Sequence, residues 1–318
     1  MATPHDTILP SRRVVVDRIV GVLNVKDSRI LYCLPREATP SMEVVAFPGD
    51  GVPNPEWPSL AGALGTHPHS SGFLGALHDR LQREGGDYAS AALFVVEPSD
   101  SSSQGFALFQ NFLPCNLTAS GEPLERYTGR ERKAARHLAE LLDAVYFHAK
   151  GSEAARAALA SNAPILALGF SKAGIVLNEL LAEASTLECD DAAAAPDDAA
   201  RLLARLRACH YLDAGLACRG AFLTEADVIV SLGRLLRPPA VHLHGTPRQW
   251  KDAARAWVAE EKDRSAAMLR AAGVEVTERL YFAEEEPSLA MHFAVVGACV
   301  LPTCSFASPT ATPSDGSE

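Results

Sequence analysis

Short apolar runs alternate along this chain with longer stretches in which apolar residues recur at helical spacing. Residues 13–24 and 29–34 read as two strands around a polar turn at Lys26–Ser28, an antiparallel hairpin at the N-terminal side. Glu43-Val-Val-Ala-Phe47 is a further strand, cut off by Pro48-Gly49-Asp50-Gly51. A helix is predicted over 71–84, ended by Gly85-Gly86, and the run from Ala91 to Val96 is the next strand. From there the alternation is regular. A helix over about 129–148 leads to the strand 164–169, then to a helix from Lys172 to Ala184. A short helix, the strand Ala208–Asp213, a helix near 224–236 and the strand Ala240–His244 follow. The next helix spans about 247–272: Thr246 caps it, Pro247 takes its first position, Gln249 completes a capping box and Gly273 stops it. Val274 to Phe282 is the final strand, and Pro287 precedes a helix over 288–299. A hairpin followed by repeated strand–helix units implies a mostly parallel sheet with helices on both faces.

Three stretches fall outside this alternation. Residues 188–200 are Ala/Asp-rich and read as a solvated surface insertion, 98–105 as a Ser/Asp-rich loop, and 305–318 as a disordered Ser/Thr/Pro-rich tail. Residues 1–304 then make one α/β domain. The formal charge of −10, with no cluster of Lys and Arg, argues against a nucleic-acid partner. No apolar run reaches the length of a membrane span. The seven cysteines are odd in number and lack paired zinc spacing, which points to reduced thiols inside the cell. Met1 to Pro10 carries Asp6 and no apolar stretch, so the cytoplasm is the expected compartment.

The candidate chemistry centres on Gly169-Phe170-Ser171-Lys172-Ala173-Gly174, which follows a buried strand and opens a helix. That is the context of a nucleophile elbow, where small residues flank a serine held on a strained turn. The chain then supplies Asp213 at a strand end and His292 after the last strand, in the Ser–acid–His order of α/β-hydrolases. A serine hydroxyl becomes nucleophilic when a base takes its proton, and the acid fixes the tautomer of that base. An oxyanion hole needs two backbone N–H groups. Lys172 is one candidate, and Gly49 or Asp50 in the Pro48-Gly49-Asp50 loop is the other; Lys172 and Asp50 are also placed to pair as side chains. Asn111, in Gln110-Asn111-Phe112, is a candidate substrate contact. His242 and His244 share one face of a strand without a carboxylate to complete a metal set, so they read as core or loop histidines. The fold class expected is thus α/β-hydrolase-like, with no cofactor and no metal.

Several stretches resemble an α/β-hydrolase-like family whose best-known member is an animal mitochondrial protein encoded by chromosome-two open reading frame sixty-nine. They are Phe47-Pro-Gly-Asp50, Asn111-Phe112, Leu168-Gly-Phe-Ser-Lys172 with Val176-Leu-Asn178, Tyr211-Leu-Asp213, and a block from His242 to Phe293 that includes Thr246-Pro247 and Trp257. The family pattern has Gly where this chain has Ala173, and Gly-Gly-His where it reads Ala214-Gly215-Leu216. The resemblance implies serine-hydrolase geometry at Ser171, Asp213 and His292, and a mitochondrial compartment as the alternative to the cytoplasm. The expected function is hydrolysis of an ester or thioester of a small molecule. The alternative is a silent hydrolase-fold protein that binds a protein or small-molecule partner.

Overall fold

The computed structural model describes residues 11–15, 18–25, 27–36, 39–50, 68–101, 105–113, 116–153, 157, 162–187 and 197–301. Residues 1–10, residues 305–318, Lys26, Gly51, residues 188–196, and Cys115, Cys189 and Cys304 lie outside them.

A nine-stranded sheet carries the chain in the order β1-β2-β3-β5-β4-β8-β9-β10-β11. On one side lie β1 (Ser11–Val15), β2 (Arg18–Val25) and β3 (Ser28–Pro35), each antiparallel to its neighbour, with β3 antiparallel to β5 (Ala92–Val96). The rest is parallel: β5 pairs β4 (Glu43–Phe47), and β4 pairs β8 (Ile165–Phe170). Beyond β8 come β9 (Leu206–Leu212), β10 (Ala240–Gly245) and β11 (Val276–Leu280). This is the α/β-hydrolase-like architecture expected from the alternation: an antiparallel hairpin joined to a mostly parallel sheet.

Helices cover both faces because the central strands are apolar on both. Val44, Ala46, Leu166, Leu168 and Phe170 face α1 (Pro68–Glu84) and α8 (Leu289–Ala298), where Phe73, Leu74, Phe293 and Val296 close one core. Val45, Phe47, Ala167, Cys209 and Val241 face the other core. That second core is closed by α2 (Lys133–Lys150), α3 (Gly174–Ala184), α4 (Asp198–Arg205), α5 (Ala226–Gly233) and α7 (Ala256–Ala271).

Four local expectations differ from the structure. Residues 13–24 are two strands, with Val15 opposite Arg18. One unbroken strand there would run about 40 Å, well past the eight-residue β3 beside it, and Asp17-Arg18 interrupts the apolar run. The helix expected over 247–272 is also two: α6 (Pro247–Trp250) and α7, separated by a 3₁₀ turn that Asp252 caps by accepting from the Ala254 N–H at 2.9 Å. Residues 197–200 are not solvated insertion. Asp197 caps α4, and Ala199 and Ala200 are buried. Within the loop expected at 98–105, Asp100–Ser101 (β6) pairs with Ala107–Leu108 (β7) as a two-stranded ladder.

Candidate active site

The C-terminal ends of β4, β8, β9 and β10 lie side by side, and each continues into a residue of the site. β8 ends at Phe170, and Ser171 follows at φ 55°, a left-handed conformation. Ser171–Ala173 make one 3₁₀ turn before α3 begins. The turn is so tight that a Cβ on Gly169 would stand 2.8 Å from the carbonyl oxygen of Ala173, so position 169 has room only for glycine. Ala173 itself is fully buried at φ −64°, a helical conformation natural to alanine. The chain therefore accommodates Ala in place of the family's Gly with no backbone strain.

Asp213 follows β9 at φ 45° and is fully buried. Its backbone N–H donates to the His244 carbonyl at 2.6 Å, lacing the ends of β9 and β10 together. His292 lies in the first turn of α8, where the Ser288 hydroxyl caps the helix by accepting from the Met291 N–H. Its Nδ1 lies 2.7 Å from Asp213 Oδ2. A carboxylate can only accept, so Nδ1 carries a proton, and in the neutral imidazole Nε2 keeps its lone pair. The imidazole lies against the ring of Phe170, the residue before Ser171, with centroids 4.6 Å apart. Asp213 and His292 are thus hydrogen-bonded, and His292 is set beside the elbow. Among the described residues Ser171 Oγ has no hydrogen bond. Sites without ligand are commonly looser than the reacting complex.

Gly49 lies over the serine: a Cβ there would meet Ser171 Cβ at 2.8 Å and the Phe170 carbonyl oxygen at 2.9 Å. Lys172 and Asp50 do pair, with Nζ 2.8 Å from Oδ1. Lys172 Nζ also donates to the Ser120 carbonyl at 2.6 Å and stands 4.5 Å above the Phe106 ring. Asp50 Oδ1 accepts in addition from the Ala107 N–H at 2.8 Å. One buried ammonium therefore ties the loop after β4 to the elbow and to segments 105–107 and 118–122.

Thr246 does not cap the helix that its place in the sequence predicts. It stands at the N-terminus of α6 with Pro247 behind it, yet its hydroxyl caps nothing. The hydroxyl donates to Asp213 Oδ2 at 2.9 Å and the backbone N–H to Oδ1 at 2.7 Å. The Thr-Pro pair after a strand was the available signal, but its meaning depends on β10 lying next to β9. Asn111 Nδ2 donates to Ser28 Oγ at 3.0 Å, joining the 109–113 turn to the start of β3.

His242 and His244 are core residues in a stack with His210, whose ring centroid lies 4.5 Å from that of His242 and 5.4 Å from that of His244. Burial pushes all three toward the neutral form, helped for His210 and His244 by the neighbouring rings. His244 falls to about 3. Its Nδ1 lies 2.9 Å from the Tyr281 hydroxyl, and that of His242 2.8 Å from Thr277 Oγ1. Among the described residues no group of three or more His, Cys, Asp or Glu side chains is arranged to hold a metal ion. Nor is any of their helices long and apolar enough to cross a membrane.

Residues 144–275 match the sequence model of the C2orf69 family. The chain resembles the C2orf69 family. The zebrafish (Danio rerio) mitochondrial protein C2orf69 homolog is 29% identical over 221 residues, covering 64% of this chain and 59% of that one. The mouse (Mus musculus) C2orf69 homolog is 32% identical over 129 residues, covering 40% of this chain and 33% of the relative. The chain thus spans less than two thirds of the length of these relatives. Among solved structures, an arylesterase is similar at 12% identity and a TM-score of 0.43, covering 90% of this chain and 83% of that one. A Bacillus cereus carboxylesterase is similar at 13% identity and a TM-score of 0.41, covering 84% and 92%.

Proposed function

We propose that this chain is a serine hydrolase acting on an ester or thioester, with Ser171 as nucleophile, His292 as base and Asp213 as the acid that orients it. The observation that carries the reading is the 2.7 Å contact between His292 Nδ1 and Asp213 Oδ2, made beside a serine held at φ 55°. Ser171 Oγ attacks the carbonyl carbon while His292 Nε2 takes its proton. The oxyanion accepts from the Lys172 N–H and from the N–H of Gly49 or Asp50. Collapse expels an alcohol or thiol, which leaves with the proton from His292. Water, deprotonated by the same imidazole, then releases the acid and restores Ser171. No cofactor enters these steps.

The test is labelling of the purified chain with a fluorophosphonate probe, beside turnover of a short-chain model ester. Wild type is expected to label, Ser171→Ala to lose both labelling and turnover, and Asp213→Asn to retain a residue of each. Folded wild type that neither labels nor turns over any ester would leave the fold as a platform for binding a partner.

The compartment we propose is mitochondrial, on the strength of the names of the C2orf69 relatives. The full chain carrying a C-terminal fluorescent protein should coincide with a mitochondrial marker. Diffuse cytosolic signal would return the compartment to the one read from the Asp6-bearing N-terminus.

A further inference from the structure

A threonine at a helix N-terminus ordinarily turns its hydroxyl back onto an N–H of the first turn. Thr246 does not. The N–H groups of Gln249 and Trp250 go instead to its carbonyl oxygen, at 3.1 and 3.0 Å, and Pro247 has no N–H to satisfy. The hydroxyl is thereby released for Asp213. Thr246 and Asp213 are both fully buried, so water does not compete for this contact.

The carboxylate of Asp213 receives three donors. Oδ1 takes the Thr246 N–H, and Oδ2 takes both the Thr246 hydroxyl and His292 Nδ1. Two contacts from one residue, one on each oxygen, fix the plane of the carboxylate. The direction of the remaining lone pair on Oδ2 is then fixed, and with it the imidazole that lies on Phe170. We propose that Thr246 is a positioning residue for the reaction, holding Asp213 so that His292 presents Nε2 toward Ser171. This rests on the serine-hydrolase reading above. It adds a residue from the end of β10 to a site whose acid comes from the end of β9.

Thr246→Val keeps the branched shape and the backbone N–H while removing the hydroxyl, and Thr246→Ser restores the hydroxyl. The full chain is compared in these forms by the rate of fluorophosphonate labelling, the split between kcat and KM on a model ester, and the downfield proton resonance of His292 Nδ1–H. That resonance is assigned by its loss in His292→Gln. Labelling and kcat should fall about tenfold to a hundredfold in Thr246→Val with KM little changed, since small misplacements of a reacting group cost on that order. The resonance should shift or broaden in Thr246→Val, and Thr246→Ser should recover both signals. Thr246→Ala takes the place of valine if the latter does not fold. A folded Thr246→Val that labels at the wild-type rate with an unmoved resonance overturns the proposal and leaves the hydrolase reading standing. Wild type that neither labels nor turns over the ester overturns the hydrolase reading and the proposal with it; a resonance that moves in Thr246→Val then reports only that Thr246 fixes the Asp213–His292 contact.

Discussion

Ser171 is held in a conformation that a non-glycine residue keeps only where its surroundings enforce it, and here the enforcement is local. Gly169 lets the chain close to within contact of Ala173, and Gly49 brings the neighbouring loop onto the serine. The turn is legible in the sequence for that reason: a buried strand, small residues around a serine and a helix are all contiguous. Ala173, which departs from the family pattern, is explained by its helical φ, something the sequence alone does not reveal. Ser171→Ala tests the residue's role cleanly, because no described hydrogen bond depends on its hydroxyl and the turn keeps its shape. Turnover should fall by about 10⁶ if a full triad operates, and by about 10⁴ in Asp213→Asn, which also turns an amide toward the Thr246 donors. Unfolding curves of wild type and Ser171→Ala should nearly superimpose, so that any lost activity is chemical in origin.

Elements were legible where their punctuation is local and illegible where it comes from elsewhere in the chain. α2 begins at Lys133, not near 129, and no side chain beside it caps it. Its first N–H groups, those of Ala134 and Ala135, donate to the Glu183 carboxylate at 2.7 Å each, from the end of α3. A cap supplied from about fifty positions away leaves no trace in a window of sequence. The Lys172–Asp50 pair works in the same non-local way, joining the loop after β4 to the elbow. Its ammonium is buried and its carboxylate only partly so, which makes removal of one partner costly. Lys172→Met keeps the stem and the backbone N–H but leaves Asp50 with the Ala107 N–H alone. It should destabilise the chain by about 1–3 kcal/mol in urea unfolding. Lys172→Met combined with Asp50→Asn should lose less than the two single losses summed, because no charge is then stranded. Strict additivity would mean that the pair contributes nothing to holding the loop.

The whole molecule brings residues from distant parts of the chain to one edge of a sheet. Ser171, Asp213 and Thr246 are separated in sequence but follow β8, β9 and β10, consecutive neighbours in the sheet. The alternation of strands and helices announces a parallel sheet. The strand order, which puts Thr246 against Asp213, emerges only when the crossovers are built. The same assembly buries charge away from the site. Glu179 and Glu183 lie on α3, one turn apart and fully buried, facing the start of α2. Burial pushes Glu183 up to about 7, and the two helix N–H groups it accepts keep it below its neighbour. Burial, and then the charge of Glu183, push Glu179 up to about 8 from 4.5. A carboxyl whose pKa is higher folded than unfolded favours the folded state while it stays protonated. Its contribution is complete below about pH 4.5 and drains away as pH rises to about 8. Glu179→Gln keeps the shape and cannot ionise, so it should escape that loss. At pH 8 the variant should be more stable than wild type by on the order of 4 kcal/mol, and at pH 5 the gap should shrink to under about 1 kcal/mol. Urea unfolding of both proteins across this range checks the sign. A variant weaker than wild type at pH 8 would mean that Glu179 is ionised in the fold and partnered well enough to offset its burial.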